Sequence, residues 1–110
     1  MGYIRHDAII VTCFNEKVAR SCRRKAKLLK LEVTNIVISN INCYSSFLIT
    51  PDGSKEGWGE SDNGDSARDE WKFWVKKTHG NYVDWIHVSF GGDEPENAHI
   101  VEYNEYVGEE

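Results

Sequence analysis

Residues 3–13, Tyr3-Ile4-Arg5-His6-Asp7-Ala8-Ile9-Ile10-Val11-Thr12-Cys13, carry a continuous apolar run at 8–11 that is rich in β-branched side chains. A strand that is apolar on both sides usually lies inside its sheet, with neighbours on either edge. The stretch therefore predicts a central strand, and the rest of the chain must supply flanking strands and a helical layer. Asn15 follows with a side-chain oxygen suited to capping a helix. Residues 16–31 then place Val18, Ala19, Cys22, Ala26 and Leu29 on one helical face. Lys17, Arg20, Arg24 and Lys27 line the opposite face, with Arg23 and Lys30 beside them. That pattern predicts an amphipathic helix resting on the sheet.

Further along, residues 33–39 and 43–50 read as strands separated by Asn40-Ile41-Asn42. Pro51-Asp52-Gly53 is a turn, and residues 55–58 pair back as a short hairpin arm. Residues 59–65 form a polar, acidic loop punctuated by glycine. Ser66-Ala67-Arg68-Asp69 resembles a capping box and opens a second helix over 67–78, with Ala67, Trp71, Trp74, Val75 and Thr78 on one face. His79-Gly80 ends it. Residues 82–90 alternate, with Ile86, Val88 and Phe90 opposite Trp85, His87 and Ser89. After a turn at 91–95, residues 98–106 alternate again, with His99, Val101 and Tyr103 against Ile100, Glu102 and Asn104, as an edge strand.

The order is thus β-α-β-β-α-β followed by one strand. Right-handed crossovers place both helices on one side of an antiparallel sheet. The expected fold class is α+β, a ferredoxin-like β-α-β-β-α-β sandwich with an extra C-terminal edge strand. One domain covers 1–107 and an acidic tail 108–110. A chain of 110 residues suits one domain, and four Trp, five Tyr and four Phe suffice to fill its core.

Charge divides the chain. Residues 1–50 carry eight Lys/Arg against three Asp/Glu, and residues 51–110 carry five against fifteen. So acidic a second half disfavours general nucleic-acid binding, because the duplex is itself densely anionic. No apolar run is long enough for a membrane span, and the opening residues lack a signal peptide's apolar region. The odd cysteine count, Cys13, Cys22 and Cys43, gives no disulfide framework or zinc spacing. A cytoplasmic setting with reduced, mostly buried thiols is expected.

Three groups of residues invite a functional reading. The basic helix stripe, Arg20, Arg23, Arg24 and Lys27 at its centre, suits a phosphorylated small molecule or an acidic protein surface; the alternative is a solvated helix face. The acidic segment with Glu56, Trp58, Glu60 and Asp62 suits protein binding around an aromatic anchor; the alternative is Trp58 folding back on the core. Its spacing lacks the ligand pattern of an EF-hand, so no metal is assigned. His6 and Asp7 lie where they could form an acid–base pair with Asp84 or His87 of a neighbouring strand. Cys13, just before a helix start, is a candidate activated thiolate. No phosphate-binding loop, dinucleotide fingerprint, nucleophile elbow or zinc motif is present, and no cofactor is assigned.

The opening residues 3–12 resemble small uncharacterised proteins of bacteriophages and prophages. So does Pro51-Asp52-Gly53-Ser54-Lys55-Glu56-Gly57-Trp58, followed by Ser61-Asp62 and Gly64-Asp65. The resemblance implies a phage-encoded accessory protein in the host cytoplasm, of a kind that binds and modulates host proteins, including defence systems. It carries no catalytic residue across. The leading expectation is a non-enzymatic protein-binding role, by way of a bare sheet face or the Trp58 segment. A module that binds or sequesters a small molecule or nucleotide comes second, and a small enzyme using His6, Asp7 or His87 third. A homodimer is expected, since an uncovered aromatic-bearing sheet face is rarely left to water.

Overall fold

The apolar run at residues 8–11 lies at the centre of a five-stranded antiparallel sheet. The structure is a computed structural model that describes residues 6–51, 59–91 and 98–105, with the side chains of residues 59–62 and 81 outside that description. The elements are β1 (His6–Cys13), α1 (Glu16–Leu28), β2 (Val37–Ile38), β3 (Ser45–Ile49), α2 (Gly59–Thr78), β4 (Val83–Phe90) and β5 (His99–Tyr103). Strand order is β2-β3-β1-β4-β5, every neighbour antiparallel. β1 and β2 consequently run in the same direction with β3 between them, and β3 and β4 do so around β1. The fold is α+β, and no described helix is long and apolar enough to cross a membrane.

Alternation along the strands sorts side chains onto two faces. Ile9, Val11 and Cys13 of β1, Phe47 and Ile49 of β3, and Val83 and Trp85 of β4 share one buried cluster. Ala19, Cys22 and Ala26 of α1, with Trp71 and Val75 of α2, complete it, so both helices cover the same face. Small residues on α1 allow close approach to the sheet, and Trp71 fills the space between the helices. Its indole Nε1 donates to the Cys22 carbonyl at 3.0 Å. Its ring meets Trp85 edge-on, centroids 6.2 Å apart, a favoured aromatic geometry.

The first helix starts as expected, with Asn15 Oδ1 accepting from the Val18 N–H at 2.9 Å. It ends at Leu28 rather than running to 31. Leu31 N–H reaches the Ala26 carbonyl at 3.0 Å and Lys30 N–H the Lys27 carbonyl at 2.9 Å. This is a Schellman closure, with Lys30 at φ 67° in the position glycine usually takes. No glycine marks the stop, so the periodicity ran past it. The strand expected over 33–39 contracts to Val37–Ile38, with Val33 making an isolated bridge to Ile49.

The largest correction concerns residues 59–65, which are helical and not a loop; α2 is 20 residues long. Ser66 therefore lies inside the helix and does not cap it. Arg68 holds Asp65 one turn back at 2.6 Å, and acidic residues in the first turns favour the positive end of the helix dipole. Those local terms outweigh the low helix propensity of glycine and asparagine there. The expected hairpin arm at 55–58 lies outside the described residues.

β5 also departs from simple alternation. The register shifts between His87 and Val88, so Tyr103 pairs with Ile86 and Ile100 with Val88. A bulge of this kind moves side chains to the other face: Ile100 and Tyr103 share a side, and Glu102 and His99 turn toward the helices. Beyond β4, Gly91 takes φ 93°, and a Cβ there would come within 2.7 Å of the His6 ring.

Replacing Trp71 by Ala should lower stability in urea unfolding by about 3–5 kcal/mol, the usual range for truncating a buried aromatic. Trp71→Phe keeps an aromatic ring but loses the indole N–H and part of its volume, and should cost less than the Ala variant, about 2–3 kcal/mol. An Ala variant within 1 kcal/mol of the parent, on the order of ordinary surface substitutions, would contradict this packing.

Candidate functional site

Three surfaces or clusters carry the chemistry available to this fold. The first is the sheet face that neither helix covers. Ile10 stands between Leu48 and Ile86, Ala8 beside Val88, and Ile86 and Val88 beside Tyr103 and Ile100. Phe90 lies at its margin, its ring tilted 44° against that of His6 with centroids 5.3 Å apart. Ile10, Ile100 and Tyr103 remain 47%, 56% and 54% exposed. The polar groups on this face are largely satisfied: Thr12 and Ser46 hydroxyls bond each other at 2.9 Å, and the Asn104 amide donates to Asp84 at 3.1 Å. The apolar side chains come from neighbouring strands and form one contiguous row across the middle of the face. A contiguous exposed apolar patch is a candidate interaction site.

The second is a groove lined by Arg20, Arg23, Arg24, Lys27, Asn35 and Ile36, with a volume of about 430 Å³. It gathers the four cations singled out in the sequence. Arg20 pairs with Glu16 at 2.6 Å, and Arg23 Nε donates to the Thr34 carbonyl at 2.8 Å.

The third is a buried chain of charges linking β1, β4, α2 and β5. His87 Nε2 lies 3.0 Å from Asp7 Oδ1, and Lys72 Nζ lies 2.9 Å from His87 Nδ1. The assignment that satisfies both contacts has Nε2–H donating to Asp7 and Nδ1 accepting from the ammonium. Lys72 continues to Glu102 at 3.0 Å and to Asp69 at 3.4 Å. Lys76 pairs with the other Glu102 oxygen. Partial burial pushes the Glu102 carboxyl up, but hydrogen bonds from Lys76 and Lys72 and their positive charge outweigh it, and its pKa lies below the ordinary glutamate value. Asp7, Lys72 and His87 are buried, which is tolerable only because each charge meets an opposite charge or a hydrogen bond.

Asp7 and His87 thus converge as the sequence suggested, whereas His6 packs at a tilt against Phe90 at the opposite face and Asp84 binds Asn104. Both ring nitrogens of His87 are engaged, so the ring is a structural link and holds no free base toward a substrate. Ser89 Oγ is buried nearby in the sheet without a hydrogen-bond partner among the described residues. Cys13 is fully buried. A hydrogen bond from Cys22 lowers its pKa against the opposing effect of burial, and that same bond, with burial, pushes Cys22 up. Nothing opens Cys13 to a substrate, which corrects its reading as an activated thiolate. Among the described residues no cluster of three His, Cys, Asp or Glu side chains is placed to hold a metal.

Glu56 and Trp58 lie outside the described residues, and Glu60 and Asp62 sit on the first turns of α2, so the acidic segment there is helix. Sequence reasoning missed Lys72 and Glu102. Their signals were slight: a lysine beside Trp71 at the edge of the apolar face of α2, and a glutamate among apolar residues of β5.

Truncating Lys72 to Ala removes the donor to His87 Nδ1 and one of the two lysines on Glu102, and should cost about 1–3 kcal/mol. Glu102 supplies stability that is fully present above its unfolded-state value, near 4.5, and is lost as pH falls through the lower folded value. Glu102→Gln should therefore flatten the acid limb of a stability–pH profile from chemical denaturation. An unchanged acid limb would remove Glu102 from this role.

Compared with protein-family models, with curated proteins and with solved structures, the chain matches none.

Proposed function

We propose that this chain is a non-enzymatic binding protein, an accessory protein of the phage type, that pairs with a second copy through the helix-free face of its sheet. The observation that carries the reading is the uncovered row Ile10, Leu48, Ile86, Val88, Ile100 and Tyr103. A second copy suits this face for an electrostatic reason. Its centre holds no charged side chain, so a two-fold pairing of chains with net charge −5 sets no like charges opposite one another there. Such an isologous contact needs only that the patch complement itself, as stacked sheets do at about 10 Å separation.

The finer topology belongs to the same proposal. Support for a ferredoxin-like plan with an added edge strand comes from β1 and β2 running parallel around β3, from β3 and β4 doing so around β1, and from both helices covering one face. The binding of a host protein rests on the resemblance of residues 3–12 and 51–65 to phage proteins, and Trp58 is the anchor we assign to it. A cytoplasmic setting goes with that role.

Light scattering should give a dimer for the parent and a monomer for Ile10→Asp, with helix content unchanged by circular dichroism. A monomeric parent at about 100 μM, a concentration at which a micromolar dimer would be largely formed, would refute the pairing. The host-protein reading expects a tagged chain to retain a defined protein that Trp58→Ala releases, and retention of nothing would count against it.

A further inference from the structure

We infer that the groove beside α1 is a binding site for a small anion carrying two or more phosphate groups. Arg20, Arg24 and Lys27 recur at helical spacing along one side of α1, with Arg23 next to them and Asn35 and Ile36 closing the groove. Like charges three and four residues apart destabilise a helix. Here they recur at 20/23, 20/24, 23/27 and 24/27 in a chain whose total charge is −5. A ligand of opposite charge relieves that repulsion.

The groove is also partly preorganised. Arg23 is fixed by the bond from its Nε to the Thr34 carbonyl at 2.8 Å, which leaves its terminal nitrogens as a positioned fork. Arg20 is held by Glu16 at 2.6 Å, while nothing described ties down Arg24 or Lys27. Guanidinium forks match phosphate oxygens in pairs, and a lysine adds a point charge. A volume of about 430 Å³ falls in the usual range for small-ligand sites, roughly 300–1,000 Å³. Among the described residues no aromatic side chain lines the groove, so recognition falls to the phosphates and not to a stacked base.

The inference is independent of the dimer, because the groove lies on the helix side of the sheet. Calorimetric titration of the full chain at low salt with inorganic tripolyphosphate, orthophosphate, ATP and a short polyglutamate peptide tests it. Tripolyphosphate should bind saturably and at least about tenfold more tightly than orthophosphate, each further charge-assisted contact being worth roughly that factor. The affinity should fall as salt screens the charges. The double reversal Arg24→Glu/Lys27→Glu should weaken binding by at least about a hundredfold on the same reckoning, with the helix content and light-scattering mass of the free protein unchanged. ATP binding equal to tripolyphosphate assigns a free polyphosphate, and tighter ATP binding assigns a nucleotide; both uphold the site. No saturation by tripolyphosphate at about 1 mM, a limit near the weakest specific affinities, would overturn the inference. So would binding that survives the reversal, or a preference for polyglutamate, which would make the groove a protein-docking patch.

Discussion

Everything in this molecule depends on how Trp71 is seated. Its indole N–H is spent on the Cys22 carbonyl of α1 and its ring on Trp85 of β4. One side chain thereby ties helix to helix and both to the sheet. An indole buried without a hydrogen-bond acceptor would carry the desolvation cost of its N–H, so the position of α2 is set by a polar requirement as well as by packing. With both helices drawn to one side, the other side of the sheet has no helix over it among the described residues. The apolar row around Ile10 follows from that asymmetry.

The buried charges serve the same architecture. β5 is an edge strand, mostly exposed, with little apolar area of its own to hold it. Glu102 bonds it to Lys72 and Lys76 of α2, and Lys72 passes the connection through His87 to Asp7 of the central strand. Such a network adds less net stability than apolar packing of the same volume. What it adds is direction, because a β5 slipped by one residue would carry Glu102 away from Lys72 and Lys76. The register shift between His87 and Val88 turns Glu102 inward, and the same shift presents Ile100 and Tyr103 on the open face. The tether and the docking surface are thus two consequences of one irregularity in the sheet.

Much of this was legible in the amino-acid order. The run at residues 8–11 announced a central strand, the period of α1 announced its buried face, and Trp85, His87 and Ser89 separated cleanly from Ile86, Val88 and Phe90. Local chemistry that runs against type was not legible. Lys30 closes α1 in a conformation associated with glycine, and the Gly59–Asp65 stretch enters a helix despite turn-like composition, helped by the Arg68–Asp65 pair. The pairing of Asp7 with His87 was anticipated because neighbouring strands bring their polar residues together. Lys72 was missed because amphipathic patterning treats a lysine as a solvent marker, and its burial is made tolerable by Glu102 from β5 together with Asp69 and His87. The basic stripe was visible as a stripe, but its groove depends on where residues 35 and 36 lie, and no local pattern encodes that.

The central claim is that both helices share one face and leave the other open. Nuclear Overhauser contacts in a methyl-labelled sample at a dilution that keeps the chain monomeric test it most directly. The Trp71 indole should show contacts to Trp85 and to the Val75 methyls, while the Ile10, Ile86 and Val88 methyls show none to any side chain of α1 or α2. Contacts from either helix to the Ile10 or Ile86 methyls would place a helix on the open face and contradict the account.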